Sequence, residues 1–166
     1  MTSHRTPRLG RITFPNKEAK AAFMTTQAIR DAASPEVLRW ASVFRALPPH
    51  ERALAILQFV QTLEYVRDPG AEWLEDASVS LLRGWGDCDA KERIFVALCT
   101  ACGLPAVADP VFRGEQFPHV AARVALPEQT PTGQWTLRWY KTDPTIQNST
   151  IGWIPAYRYA QTNHWR

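Results

Sequence analysis

Apolar and polar positions along this 166-residue chain change rhythm near Pro105, where a helical spacing gives way to strict alternation. From Asn16 to about Ala33, NKEAKAAFMTTQAIRDAA is rich in helix formers. Ser34, Pro35 and Glu36 then start a second helix that runs to Leu47, where Pro48-Pro49 stops it. A third, HERALAILQFVQTLEYV, places Leu54, Leu57 and Val60 on one flank and Ala53, Ile56, Phe59 and Leu63 on another, then breaks at RDPG. Short helical turns are predicted around Ala71 to Glu75 and after Ser78. The helix opening at Cys88 gathers Leu98, Cys102, Phe95, Cys99 and Val96 into one broad arc and leaves Asp89, Arg93 and Thr100 for solvent. An arc that wide predicts a central, mostly buried helix, which Gly103 ends and Pro105 keeps from continuing.

Beyond Pro105 the segments AVADPVF, HVAARVAL and QWTLRWYKTD each alternate, the last with Trp135, Leu137 and Trp139 on one side and Thr136, Arg138 and Tyr140 on the other. Short, turn-rich connectors between them predict antiparallel pairing. The expected class is α+β: a helical half, residues 16–104, packed on a small antiparallel sheet, residues 105–145, with an aromatic tail, residues 146–166. Residues 1–15 form a basic arm carrying Arg5, Arg8 and Arg11.

Composition narrows the picture. A chain 45% hydrophobic and 21% charged has ordinary globular composition, which argues against disorder. The seven tryptophans are first read as core filler. A net charge of +3 is too weak to imply nucleic acid. The longest uncharged run, Ile94 to Ala108, is 15 residues broken by Gly103 and Pro105, too short to span a bilayer. With no apolar leader pattern at the start, the protein is expected to be cytoplasmic at synthesis, with no membrane partner. Three cysteines do not make a disulfide framework.

Among the cysteines, Cys88 is the candidate for chemistry. Asp87 is a good N-cap residue, and Gly84 and Gly86 let the backbone turn tightly before it. A helix N-terminus lowers a thiol's pKa, so the expectation is a Cys88 thiolate projecting into a cleft. Cys99 and Cys102 read as core: their C-x-x-C lies in the last helical turn, and the histidines that zinc would need (His4, His50, His119, His164) are scattered singly. A thiolate needs a base and a group to orient that base. His119 opens a strand and Asp143 closes the next, and strand ends are where side chains meet at a cleft edge.

These residues carry a resemblance. GWGDCDAKERIFVALCTACGLPA, then HVAARV, then WTLRWYKTDPTI resemble the transglutaminase-like superfamily of papain-like cysteine enzymes, whose pattern is G-x-G-D-C-[DE] at a helix start, H on a strand and D-P-T at the next strand end. The likeness covers about Tyr65 to Ile146 and departs from the pattern at Ala90 and Ala121, outside the triad. It implies a papain-like core, Cys88 as nucleophile, His119 as base and acid, and Asp143 as orienter of the imidazole. The implied activity is an amide hydrolase or acyltransferase acting on a protein or peptide through a thioester. Gln61 or Tyr65 would then support the oxyanion beside the Cys88 amide, and Asp87 and Asp89 occupy positions where some relatives bind calcium. No other cofactor is expected. The approach YVRDP…EWL…LLRGWGDCD also resembles domains common in bacteriophage and prophage genomes. That makes a structural or assembly component of a virion the alternative, with the basic arm and the aromatic tail as contacts to other virion proteins.

Overall fold

A computed structural model gives the fold, and residues 14–67, 74–113 and 116–152 are described; the basic arm and most of the aromatic tail lie outside them. Among the described residues five helices precede the main sheet: α1 (Lys17–Asp31), α2 (Pro35–Phe44), α3 (Pro49–Thr62), α4 (Ala77–Arg83) and α5 (Cys88–Ala101). Their starts follow the sequence. Asn16 Oδ1 accepts from Ala19 N at 2.8 Å, Ser34 Oγ from Val37 N at 3.4 Å and Asp87 Oδ1 from Ala90 N at 3.1 Å. Gly103, at φ +77°, ends α5 in the left-handed region that glycine adopts without strain. Of the two short turns expected before Cys88, residues 71–73 lie outside the described residues, and Leu74 to Asp76 are not helical.

One pairing was not visible in the periodicity. The two-residue strand β1 (Glu64–Tyr65) lies parallel to β2 (Trp85–Gly86), with Tyr65 opposite Gly86, so the end of the third predicted helix is instead extended. β3 (Ala106–Arg113), β4 (Gln116–Gln129) and β5 (Trp135–Thr142) then form the antiparallel sheet in sequence order. β4 runs through Pro118 and Pro127, which had read as connectors. The architecture is α+β, with the Cys88-bearing helix packed on the antiparallel sheet.

α5 is the hub: it packs on all four other helices and on β3 and β4. Ile94, Phe95, Val96 and Leu98 are fully buried, and each contributes about 1.5–3 kcal/mol relative to exposure. Most of its polar residues are buried as well, which corrects the solvent-facing strip at Asp89 and Arg93, while Thr100 is half-buried. Asp89 and Arg93 are each 6% exposed. The physical reason is pairing across the fold. Arg93 Nε and Nη2 bind Asp31 of α1 at 2.5 and 3.1 Å, and Nη2 also reaches Asp76 at 2.8 Å. Asp31 Oδ2 in turn accepts from Ala77 N at 2.8 Å, so the cap of α4 comes from α1, 46 residues away.

The sheet corrects the tryptophan reading. Trp135 and Trp139 are 72% and 48% exposed and Leu137 lies exposed between them; on β5 it is Tyr140, from the opposite face, that packs against the core.

Candidate active site

Cys88, the first residue of α5, is half-buried and packs with Phe23 against Met24, Ala108 and Val120. The two preceding glycines serve different ends. Gly84 takes φ +79° as the left-handed cap of α4. Gly86 is needed for contact: a Cβ there would stand 2.5 Å from Ala90 Cβ, so its close approach is to α5 itself. Together they fix the strand-to-helix corner that carries the thiol.

His119 and Asp143 meet through the sheet register. Thr142 lies opposite Ala122, and one further step sets Asp143 beside Ala121, two residues from His119 and on the same face. His119 Nε2 and Asp143 Oδ2 are 2.7 Å apart. The second carboxyl oxygen, Oδ1, accepts from Thr145 N at 2.9 Å and from Thr145 Oγ1 at 2.6 Å. Burial pushes the Asp143 carboxyl up, but the bonds from His119 and Thr145 outweigh it and hold the group below its ordinary value. Asp143 is therefore an acceptor, which assigns the shared proton to Nε2 and makes Nδ1 the basic nitrogen. No hydrogen bond occupies Nδ1 among the described residues.

The thiol is not a resting thiolate. Burial, and after it the charges of Asp89 and Asp87, push Cys88 well above its ordinary value, while the Val120 backbone amide acts against them. Its sulfur donates to Asp89 Oδ1 at 3.7 Å, and no hydrogen bond joins it to His119. The helix N-terminus is present as expected, but burial of the thiol, joined by the two carboxylates on either side of Cys88, overrides it. The Val120 backbone amide, directly after His119, nonetheless meets Cys88, so the helix-borne thiol lies against β4 at the residue next to the histidine.

The supporting residues separate. Tyr65 is carried beside this corner by its pairing with Gly86. Burial, then the nearby Cys88 and Asp87, raise its hydroxyl, so it stays a donor. Gln61 does something else: its Nε2 bonds Ile146 O at 2.8 Å, Ser149 Oγ at 2.9 Å and Ser149 O at 3.1 Å. Ser149 Oγ donates in turn to Asp143 O at 2.9 Å. Gln61 clamps the loop that presents Asp143, and its donors are spent there, so it is not an oxyanion donor. Asp87 is engaged as the α5 cap. Among the described residues no group of three or more His, Cys, Asp or Glu side chains stands close enough to hold a metal ion.

Sequence reading missed three residues here. Thr145 could have been found, because Asp-x-Thr is a turn in which the carboxylate binds the backbone two residues on. Lys91 and Glu92 could not, since charged residues inside a helix read as solvent-facing. Lys91 is buried, which lowers its ammonium pKa, while the nearby Asp143 charge pulls the other way.

Among the described residues no helix is long and apolar enough to cross a membrane. No protein-family model and no curated protein matches the chain. A solved structure described as a candidate cysteine protease, from Cytophaga hutchinsonii, is similar at 16% identity with a TM-score of 0.46; the likeness covers 83% of this chain and 43% of that one.

Proposed function

We propose that this domain is a cysteine-dependent amide hydrolase or acyltransferase of the transglutaminase-like kind, with Cys88 as nucleophile, His119 as general base and acid, and Asp143 as the residue that orients the imidazole. The observation that carries this is the 2.7 Å bond from His119 Nε2 to Asp143, which leaves Nδ1 unengaged on the residue next to Val120, whose backbone amide meets Cys88. The Cys88 thiol gives its proton to Nδ1 as sulfur attacks the amide carbonyl. The oxyanion is met by the Cys88 backbone N–H at the start of α5 and by the Tyr65 hydroxyl. His119 then protonates the leaving amine, and water or a second amine resolves the thioester, with His119 taking its proton.

The test uses an activated ester in place of the unknown amide. Incubating the protein with p-nitrophenyl acetate and measuring intact mass should show one acetyl group on Cys88, absent in Cys88→Ala and formed at least 100-fold more slowly in His119→Ala. Acylation spread over Cys99 and Cys102, or a His119→Ala rate equal to that of the unaltered protein, would end this reading.

A second reading, a structural or assembly role in a particle such as a virion, is favoured by the Trp135, Leu137 and Trp139 stripe on the edge strand β5. Sedimentation of the protein and of a Trp135→Ser, Trp139→Ser variant separates the two: loss of self-association with acylation intact supports assembly through β5. A monomer in both gives that role no support.

A further inference from the structure

α5 begins with Cys88 and Asp89 and brings Glu92 one turn later onto the same side as Cys88. Glu92 is fully buried, and neither carboxyl oxygen has a hydrogen-bond partner. It lines a small cavity between α1 and α5 together with Phe23, Met24, Gln27, Leu74 and Asp89. An unpartnered carboxylate in such a place is far costlier than the neutral acid. The charged groups around it agree. Arg93, the adjacent cation on α5, is already committed to Asp31 and Asp76. Lys91 feels the charge of Asp143, and Lys20 of α1 lies over the Phe14 ring. At the other end of the cluster, the titratable groups that interact with the sulfur are Asp89, Asp87 and Tyr65. Three negative charges within this first turn and a half would repel one another, and only one of the three groups is engaged with the sulfur proton, namely Asp89 at 3.7 Å.

We propose that Asp89 is a positioning residue that holds Cys88 as an idle thiol, bonded to Asp89 rather than to His119, and that Glu92 remains a neutral acid beneath it so that Asp89 can keep its charge. This rests on the catalytic role proposed for Cys88. In the resting site the proton stays on sulfur. When substrate enters, the sulfur turns from Asp89 and its proton passes to His119 Nδ1, leaving thiolate and imidazolium; Asp89 keeps its charge and Glu92 its proton throughout. The consequence is a nucleophile that is slow toward adventitious electrophiles and oxidants until an acyl group is in place.

Titrating the thiolate by its ultraviolet absorbance, and its alkylation by iodoacetamide, reads this on the full chain. Asp89→Asn should lower the Cys88 midpoint by about one pH unit and speed alkylation at neutral pH about tenfold, and Asp89→Ser should move it the same way. Glu92→Gln, neutral and of the same shape, should leave the midpoint where it is. A midpoint that stays or rises in both Asp89 variants overturns the proposal, and so does a Glu92→Gln midpoint lowered as far as that of Asp89→Asn, which would mean that Glu92 is charged. These readouts need no turnover, so their failure is distinct from failure of the triad, which is read on His119→Ala acylation.

Discussion

Gln61→Ala tests how the fold holds Asp143 in place. The amide donates to two buried carbonyls and one hydroxyl in the loop from Ile146 to Ser149. Each bond lost to a buried carbonyl costs about 1–1.5 kcal/mol, and the lost methylene about 0.8 kcal/mol more, giving about 3 kcal/mol in all. That is a sizeable share of the roughly 5–15 kcal/mol by which a domain is stable. With a urea m-value of about 2 kcal/mol/M, the unfolding midpoint should fall by about 1.5 M. Freed from its clamp, the loop should also let Asp143 drift from His119, so Cys88 acylation slows by more than the unfolded fraction explains. The assay is urea unfolding followed by tryptophan fluorescence, paired with the acylation rate in the absence of urea. A midpoint shift under about 0.3 M, or unchanged acylation in a destabilised variant, would refute the argument that Gln61 holds Asp143 in position.

Other residues give further expectations. Glu92 sits well above its ordinary value of 4.5 because burial and Asp89 outweigh Arg93. The folded state therefore holds a proton that the unfolded state releases, so its contribution to stability is full below 4.5 and is lost as pH rises through the higher folded value. Urea midpoints measured from pH 5 upward should thus decline less in Glu92→Gln than in the unaltered protein; parallel curves would show that Glu92 is ionised. Gly86→Ala forces a methyl group to 2.5 Å from Ala90 and should cost about 1–3 kcal/mol in urea unfolding, with a stability equal to the parent's counting against the tight corner. Arg93→Leu strands Asp31 and Asp76 and should cost about 3–5 kcal/mol by the same measurement, whereas a loss below about 1 kcal/mol would show the buried network to be dispensable.

Much of the frame was legible because its signals are local. The α5 start lies in Asp87 and its stop in Gly103, and both act within one turn. The alternation after Pro105 located the three strands of the sheet, because period two is a property of each strand alone. What could not be read depends on partners far along the chain. Periodicity sent Arg93 and Asp89 to solvent; Arg93 is buried because Asp31 waits 62 residues earlier. Gln61 looked like a donor for chemistry because a buried amide announces no target, and its acceptors lie 85 and 88 residues on. The Trp135 and Trp139 stripe has the right period for a core face, yet alternation cannot say which of two faces a sheet buries. The Cys88 expectation failed in a third way. The helix-terminus effect is real, but burial of the thiol, which the sequence does not announce, outweighs it, and the charges of Asp89 and Asp87 at close range add to that.

At the heart of the proposed mechanism His119, oriented by Asp143, takes the proton of a thiol that is neutral at rest. The rate of Cys88 acylation by p-nitrophenyl acetate, followed across pH for the unaltered protein and His119→Ala, tests it most directly. The unaltered protein should acylate readily at neutral pH, while His119→Ala should gain comparable rate only in alkaline solution, where the thiol ionises unaided. Superimposable pH–rate curves for the two proteins would contradict it.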